Sequence, residues 1–128
     1  MGEKVAFIGL GAMGGPMAQN IIRKGTKVSV FDIENEKMDP AVKIGGTPGS
    51  DIKNTIENAE IIITMLPSTE NVKSVICDDN GILTFAKPDT IILDMSTIAP
   101  TGTDEVYKLC QDKNLSLIHI SEPTRRRG

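Results

Sequence analysis

A chain of 128 residues holds one domain with a single core, and at this length about two-thirds of the extended surface is buried on folding. The formal charge is −3, and because Arg125, Arg126 and Arg127 against Glu122 place +2 in the last fourteen residues, the rest carries −5, an acidic body that excludes the basic, aromatic-studded surface of a nucleic-acid binder. Cys77 and Cys110 lie in no Cys-x-x-Cys pattern, no apolar run reaches the length of a membrane span, and the N-terminus has no signal-peptide pattern, so a reduced, cytoplasmic protein without a metal site or a membrane partner is expected.

Val5 to Ile8 is a short β-favouring run that stops on Gly9-Leu10-Gly11-Ala12-Met13-Gly14. A Gly-x-Gly-x-x-Gly that follows a strand and opens a helix suits a sharp turn, a bare backbone laid against a pyrophosphate, and a helix packed tightly on the sheet. Met13, Met17, Ile21 and Ile22 recur at helical spacing until Gly25 closes the segment. That helix would aim its unpaired N–H groups and its positive dipole end at the phosphates, so no lysine is needed to hold them. Lys27 to Phe31 then alternates as a second strand and ends on Asp32, eighteen residues past Gly14 and close to the offset of roughly 20 expected of a ribose-binding acid. A carboxylate there accepts hydrogen bonds from the ribose hydroxyls and repels a 2′-phosphate, which favours NAD over NADP. Glu34 and Glu36 make the region more acidic still, although an Asp at a strand end is also a common turn residue.

Pro40 predicts a short or broken helix between 34 and 46, Ser50 is placed to cap a helix from Asp51 to Asn58, and Gly45 to Gly49 leaves room for a brief third strand. Glu60 to Met65 is a continuous β-branched run, as in a parallel strand covered on both faces. Leu66-Pro67-Ser68-Thr69-Glu70-Asn71 follows at its C-terminal end, ahead of a helix holding Val72, Val75 and Ile76. Ligands of open α/β sheets bind at such ends, so Leu66, Pro67 and Asn71 are candidate cofactor contacts as well as an ordinary strand-to-helix loop. Thr90 to Asp94 repeats the pattern before Ser96, Thr97 and Pro100 and a helix to about Lys113. The two hydroxyls could hold a carboxylate or the nicotinamide end, or simply cap that helix. Strand and helix alternate throughout, which argues for an α/β, doubly wound parallel sheet.

Three segments carry a resemblance to the cofactor domain of the β-hydroxyacid dehydrogenases: Phe7-Ile8-Gly9-Leu10-Gly11-x-Met13-Gly14-x-Pro16-Met17-Ala18-x-Asn20, Ile63-Thr64-Met65-Leu66-Pro67 with Asn71, and Asp94-Met95-Ser96-Thr97-Ile98-x-Pro100. The resemblance covers about residues 4 to 114. It implies a Rossmann domain in which Gly9, Leu10, Gly11, Ala12, Met13 and Gly14 bind the pyrophosphate, Asp32 binds the adenine ribose, and Leu66, Pro67, Asn71 and Thr97 line the cofactor. It also puts Ser96 and Thr97 in a substrate-contacting motif. The activity implied is hydride transfer between a 3-hydroxyacid, such as 3-hydroxyisobutyrate, and NAD, with NADP as the other cofactor and a homo-oligomer as the intact parent. The family's catalytic lysine belongs to a later helical domain, and no lysine of this chain occupies a matching place, so no catalytic residue is assigned.

Leu115 to Ile120 alternates and sits where the family's next strand belongs, yet Leu115 to Arg125 resembles the translated text of a transposase-type sequencing adapter. The domain expected is therefore 1–114, truncated, with 115–128 a non-native tail, His119 accidental, and the C-terminal helical domain absent. Two other functions stay open: a tartronate-semialdehyde or glyoxylate type of reductase using NADP, and a dinucleotide-binding module without catalysis. The fragment itself is expected to bind NAD weakly and to turn over no substrate.

Overall fold

The computed structural model describes residues 4–11, 13–66, 69–95 and 104–119. Six strands are present: β1 (Lys4–Ile8), β2 (Lys27–Phe31), β3 (Thr47–Pro48), β4 (Ile61–Thr64), β5 (Ile91–Asp94) and β6 (Ser116–His119). The helices between them are α1 (Gly14–Arg23), α2 (Asp39–Lys43), α3 (Ile52–Ile56), α4 (Thr69–Cys77), α5 (Ile82–Phe85) and α6 (Asp104–Asp112), with a 3₁₀ turn at Asn35–Met38. The strands form one sheet in the order β3-β2-β1-β4-β5-β6, and every neighbouring pair is parallel. Strand order reverses between β1 and β4, which is the switch point of a doubly wound sheet.

A parallel sheet covered on both faces needs apolar residues at successive positions, and β1 supplies them: Val5, Ala6, Phe7 and Ile8 are all buried. Alternation sends Ala6 and Ile8 to one face, where they meet Ile62 and Ile92 of the sheet and Ile56, Val72, Ile76, Ile82, Val106 and Cys110 of the helices. Val5 and Phe7 go to the other face, into a cluster with Val28, Val30 and Ile63 covered by Ala18, Ile22, Met38 and Ala41. The core of α1 is the stripe Gly14, Ala18 and Ile22. Its small residues let the helix lie close to the sheet, so Met17 and Ile21 only flank the contact, and Met13, one of the apolar positions of the predicted repeat, is 54% exposed.

The helix at Pro40 is short, as expected: Pro40 stands in the first turn of the five-residue α2, where a residue without an N–H loses no intrahelical bond, and the preceding residues tighten into the 3₁₀ turn. Two local expectations change in the folded chain. Asp51, not Ser50, caps α3: its Oδ1 accepts the Asn54 N–H at 2.7 Å, while the Ser50 N–H donates back to Asn54 Oδ1 at 3.1 Å. That helix ends at Ile56, short of the expected Asn58. Residues 116–119 form β6 beside β5, with Leu115 and Leu117 buried, the placement given above as the family's next strand. The short helix α5 had no sequence prediction; Ile82 anchors it in the core, and Gly81 precedes it where a Cβ would crowd the Val75 carbonyl.

Cys77 and Cys110 are not joined in a disulfide. Burial, and secondarily the neighbouring Cys77, pushes the Cys110 thiol up to about 11, so it stays protonated and unreactive at neutral pH. A maleimide at mildly alkaline pH is accordingly expected to modify half-buried Cys77 well before Cys110, as read by peptide mass mapping. Replacing the fully buried Ile62 by Ala should lower unfolding free energy in urea by about 2–5 kcal/mol, whereas Ile33→Ala, at a side chain 85% exposed, should change it by less than about 0.5 kcal/mol.

Candidate cofactor-binding site

Because the sheet is parallel, the loops after β1, β2 and β4 leave from one edge, and backbone bonds draw their first residues together. The Gly9 N–H donates to the Phe31 carbonyl at 3.0 Å, and the Met65 N–H donates to the Ile8 carbonyl at 3.0 Å. Gly9 lies at φ +100°, and a Cβ on it would strike the Met65 carbonyl oxygen and the Leu66 side chain. Gly14 is needed for another reason: its Cβ would collide with the Gly9 carbonyl oxygen and come within 3.3 Å of the Phe7 ring. At Gly11 an added Cβ would meet no atom of the described residues within 4 Å, and the residue lines a cleft. Gly9 and Gly14 therefore close the fold, while Gly11 keeps space open beside the turn.

The Gly15 N–H donates to the Gly11 carbonyl at 2.9 Å and starts the winding of α1. The first turn of α1 contains no acidic residue, and Met13 supplies no side-chain cap, so no carboxylate of the helix competes for an anion at its positive end. Pro16 fits this turn because N–H groups there have no intrahelical partner.

Asp32 is held by two backbone donors. The Leu10 N–H donates to its Oδ2 at 2.8 Å, and the Glu34 N–H donates to its Oδ1 at 2.9 Å. One carboxylate thus ties the glycine turn to the end of β2, and each oxygen retains a lone pair for a further donor. The turn bonds fix the carboxylate in place without using up its capacity to accept.

A cleft of about 600 Å³ opens over this edge, within the size range of cofactor pockets. Gly9, Gly11, Met13, Gly14, Asp32, Leu66 and Asn71 of the predicted set line it. Leu10 does not: its side chain is buried in the core, and only its N–H reaches the site, through Asp32. Ala12, Pro67, Ser96 and Thr97 lie outside the described residues. The apolar walls, Phe31, Ile33, Ile52 and Val75, and the polar end, Ser74, Asp78 and Asn80, had no sequence prediction. Part of that set was legible, because Asn71, Ser74, Val75 and Asp78 stand at i, i+3, i+4 and i+7, one face of α4 continued by a residue. Ser74 Oγ donates to Asp78 Oδ2 at 2.8 Å, which fixes this end of the cleft.

At the next strand end, Thr64 Oγ1 donates to Asp94 Oδ1 at 2.9 Å in a buried contact that joins the C-terminal ends of β4 and β5. Among the described residues no group of three His, Cys, Asp or Glu side chains is placed to hold a metal ion.

A switch-point cleft with a bare-backbone turn, an acid-free helix start and a doubly anchored carboxylate defines a dinucleotide-binding domain; the open space at Gly11 and the spare lone pairs of Asp32 fit a pyrophosphate and a ribose. Residues 4–121 match the family model described as the NAD binding domain of 6-phosphogluconate dehydrogenase, and the chain belongs to this family. It is 34% identical over 116 residues to an NAD-dependent L-serine dehydrogenase of Pseudomonas aeruginosa and 39% identical over 116 residues to a 3-sulfolactaldehyde reductase of Escherichia coli, each match covering 91% of this chain and 39% of the relative. A solved structure of 3-hydroxyisobutyrate dehydrogenase from Mycobacterium tuberculosis with L-serine superposes with a TM-score of 0.85 at 32% identity, over 93% of this chain and 40% of that one. The chain thus spans about two-fifths of the length of the proteins it matches.

The division of labour among the glycines is testable. Gly14→Ala should destabilise the domain by more than about 2 kcal/mol in urea unfolding, while Gly11→Ala should leave the unfolding midpoint unchanged and weaken NAD binding at least about tenfold by calorimetry.

Proposed function

We propose that this chain is the cofactor-binding part of an oxidoreductase that transfers a hydride between a 3-hydroxyacid, such as 3-hydroxyisobutyrate, and NAD. Bound NAD supplies the hydride acceptor. The chain's own part is to grip and orient it: Gly9, Gly11, Ala12, Met13 and Gly14 around the pyrophosphate, Asp32 at the adenine ribose with Leu10 acting through its N–H bond to that carboxylate, and Leu66, Pro67, Asn71 and Thr97 along the rest. Ser96 and Thr97 then face the substrate. The observation that carries the cofactor assignment is the Asp32 carboxylate, aligned by the Leu10 and Glu34 N–H groups and presented to the cleft.

The relatives support the reaction class, since they include dehydrogenases of L-serine and of 3-hydroxyisobutyrate. The 39% identity to a 3-sulfolactaldehyde reductase favours a second reading, in which the parent works mainly in the reducing direction. An NADP-using semialdehyde reductase is disfavoured by the acid at position 32, and a module without catalysis by relatives of which the match covers only 39%. The parent is taken as a cytoplasmic homo-oligomer; among the described residues no helix is long and apolar enough to cross a membrane. Residues 115–128 are taken as adapter-derived, and the DNA sequence across those codons decides this, a departure from the adapter text refuting it.

Titration of the 128-residue chain with each cofactor tests the main assignment. NAD should bind more tightly than NADP, Asp32→Ala should weaken NAD binding about tenfold or more, and tighter binding of NADP would overturn the choice. Addition of 3-hydroxyisobutyrate and NAD to this chain should produce no NADH absorbance, because the catalytic lysine is assigned to a region beyond it; turnover would refute that assignment.

A further inference from the structure

Among the described residues lining the cleft, Lys37 is the only cation, against Asp32, Glu34 and Asp78. Its Nζ lies 3.2 Å from Glu34 Oε1, and both side chains are well exposed, with 42% and 57% of their surface open to solvent. Lys37 also borders the shallow hollow beside the cleft, with Leu10, Gly11, Gly15 and Pro16. Its ammonium therefore stands on the lip between the ribose-facing acid and the glycine turn. A phosphate on the ribose 2′-oxygen, next to Asp32, would come close to this lip.

An exposed ion pair of this kind contributes little to folding. Its consequence lies in charge. With Glu34 engaged, Lys37 adds no net positive field at the ribose end, and Asp32 and Glu34 together oppose a phosphate dianion. The hydrogen bond to Glu34, followed by the negative charge of Glu34, Asp32 and Glu36, holds the Lys37 ammonium above its usual range, so the cation is fully charged at neutral pH and is masked, not absent.

We propose that Glu34 is a specificity-determining residue that, beside Asp32, disfavours 2′-phosphorylated cofactors by occupying Lys37. The proposal rests on the NAD assignment above. It concerns the side chain of Glu34 alone: its backbone N–H anchors Asp32 Oδ1, and a substitution keeps that bond. Glu34→Gln removes the masking charge with little change of volume, frees the lysine, and leaves Asp32 clamped.

Binding of NAD, NADP and adenosine 2′,5′-bisphosphate to the 128-residue chain, followed by calorimetry or intrinsic fluorescence, tests it without reference to turnover. The ratio of NADP to NAD affinity should rise about tenfold in Glu34→Gln, adenosine 2′,5′-bisphosphate should gain in parallel, and added salt should shrink both gains. Glu34→Gln combined with Lys37→Met should return the ratio to near its original value. An unchanged ratio in Glu34→Gln overturns the proposal, as does a gain that survives in the double variant, which would mean that loss of acidic charge alone is responsible. A wild-type chain that is folded by circular dichroism yet binds neither dinucleotide overturns the NAD assignment and this proposal with it, a result distinct from NAD binding with an unmoved ratio.

Discussion

Three strand ends meet at a residue that cannot carry a side chain. Gly9 leaves β1 at positive φ, donates to the end of β2, and lies so close to the backbone following β4 that a Cβ has no room. Two L-residue penalties coincide there, one from the backbone conformation and one from the approach of the Met65 carbonyl. Everything at this edge depends on that contact: the direction in which the chain enters α1, the nearness of Asp32 to the turn, and the depth of the cleft between Met65, Leu66 and the glycines.

Charge is arranged around the same point. The glycine turn offers dipoles and bare N–H groups, a surface that suits an anion without a counter-charge on a side chain. The end of β2 carries carboxylates instead, one of them locked by backbone donors and the other turned onto a lysine. In the proposed reading, main chain would grip the part common to both dinucleotides and side chains would meet the part that distinguishes them. The rest of the cleft is apolar on the β2 and α3 sides and polar at the end of α4, a division suited to one flat base with hydrogen-bonding edges.

Most elements were legible because their signals are local. Val5 to Ile8 and Ile61 to Ile63 are unbroken apolar runs, the pattern expected of a strand buried on both faces. Gly9, Gly11 and Gly14 lie at a spacing whose steric reasons the folded chain separates one by one. The failures were local contests decided by neighbours. Ser50 and Asp51 are both good caps, and only the position of Asn54 selects Asp51. Met13 reads as a core position until the Gly14, Ala18 and Ile22 stripe takes the contact with the sheet.

By itself, the sequence determined the order of the first five strands and of the helices other than α5, the glycine turn, and the acid at the end of β2, because each follows from side-chain periodicity or from sterics within a few residues. Only the tertiary structure decided that Leu10 serves the site through its N–H and not its side chain, and that Phe31, Ile33, Ile52 and Val75 form one wall. Those facts depend on which strands lie side by side. A parallel sheet brings together segments up to several tens of residues apart, and no local pattern encodes that neighbourhood.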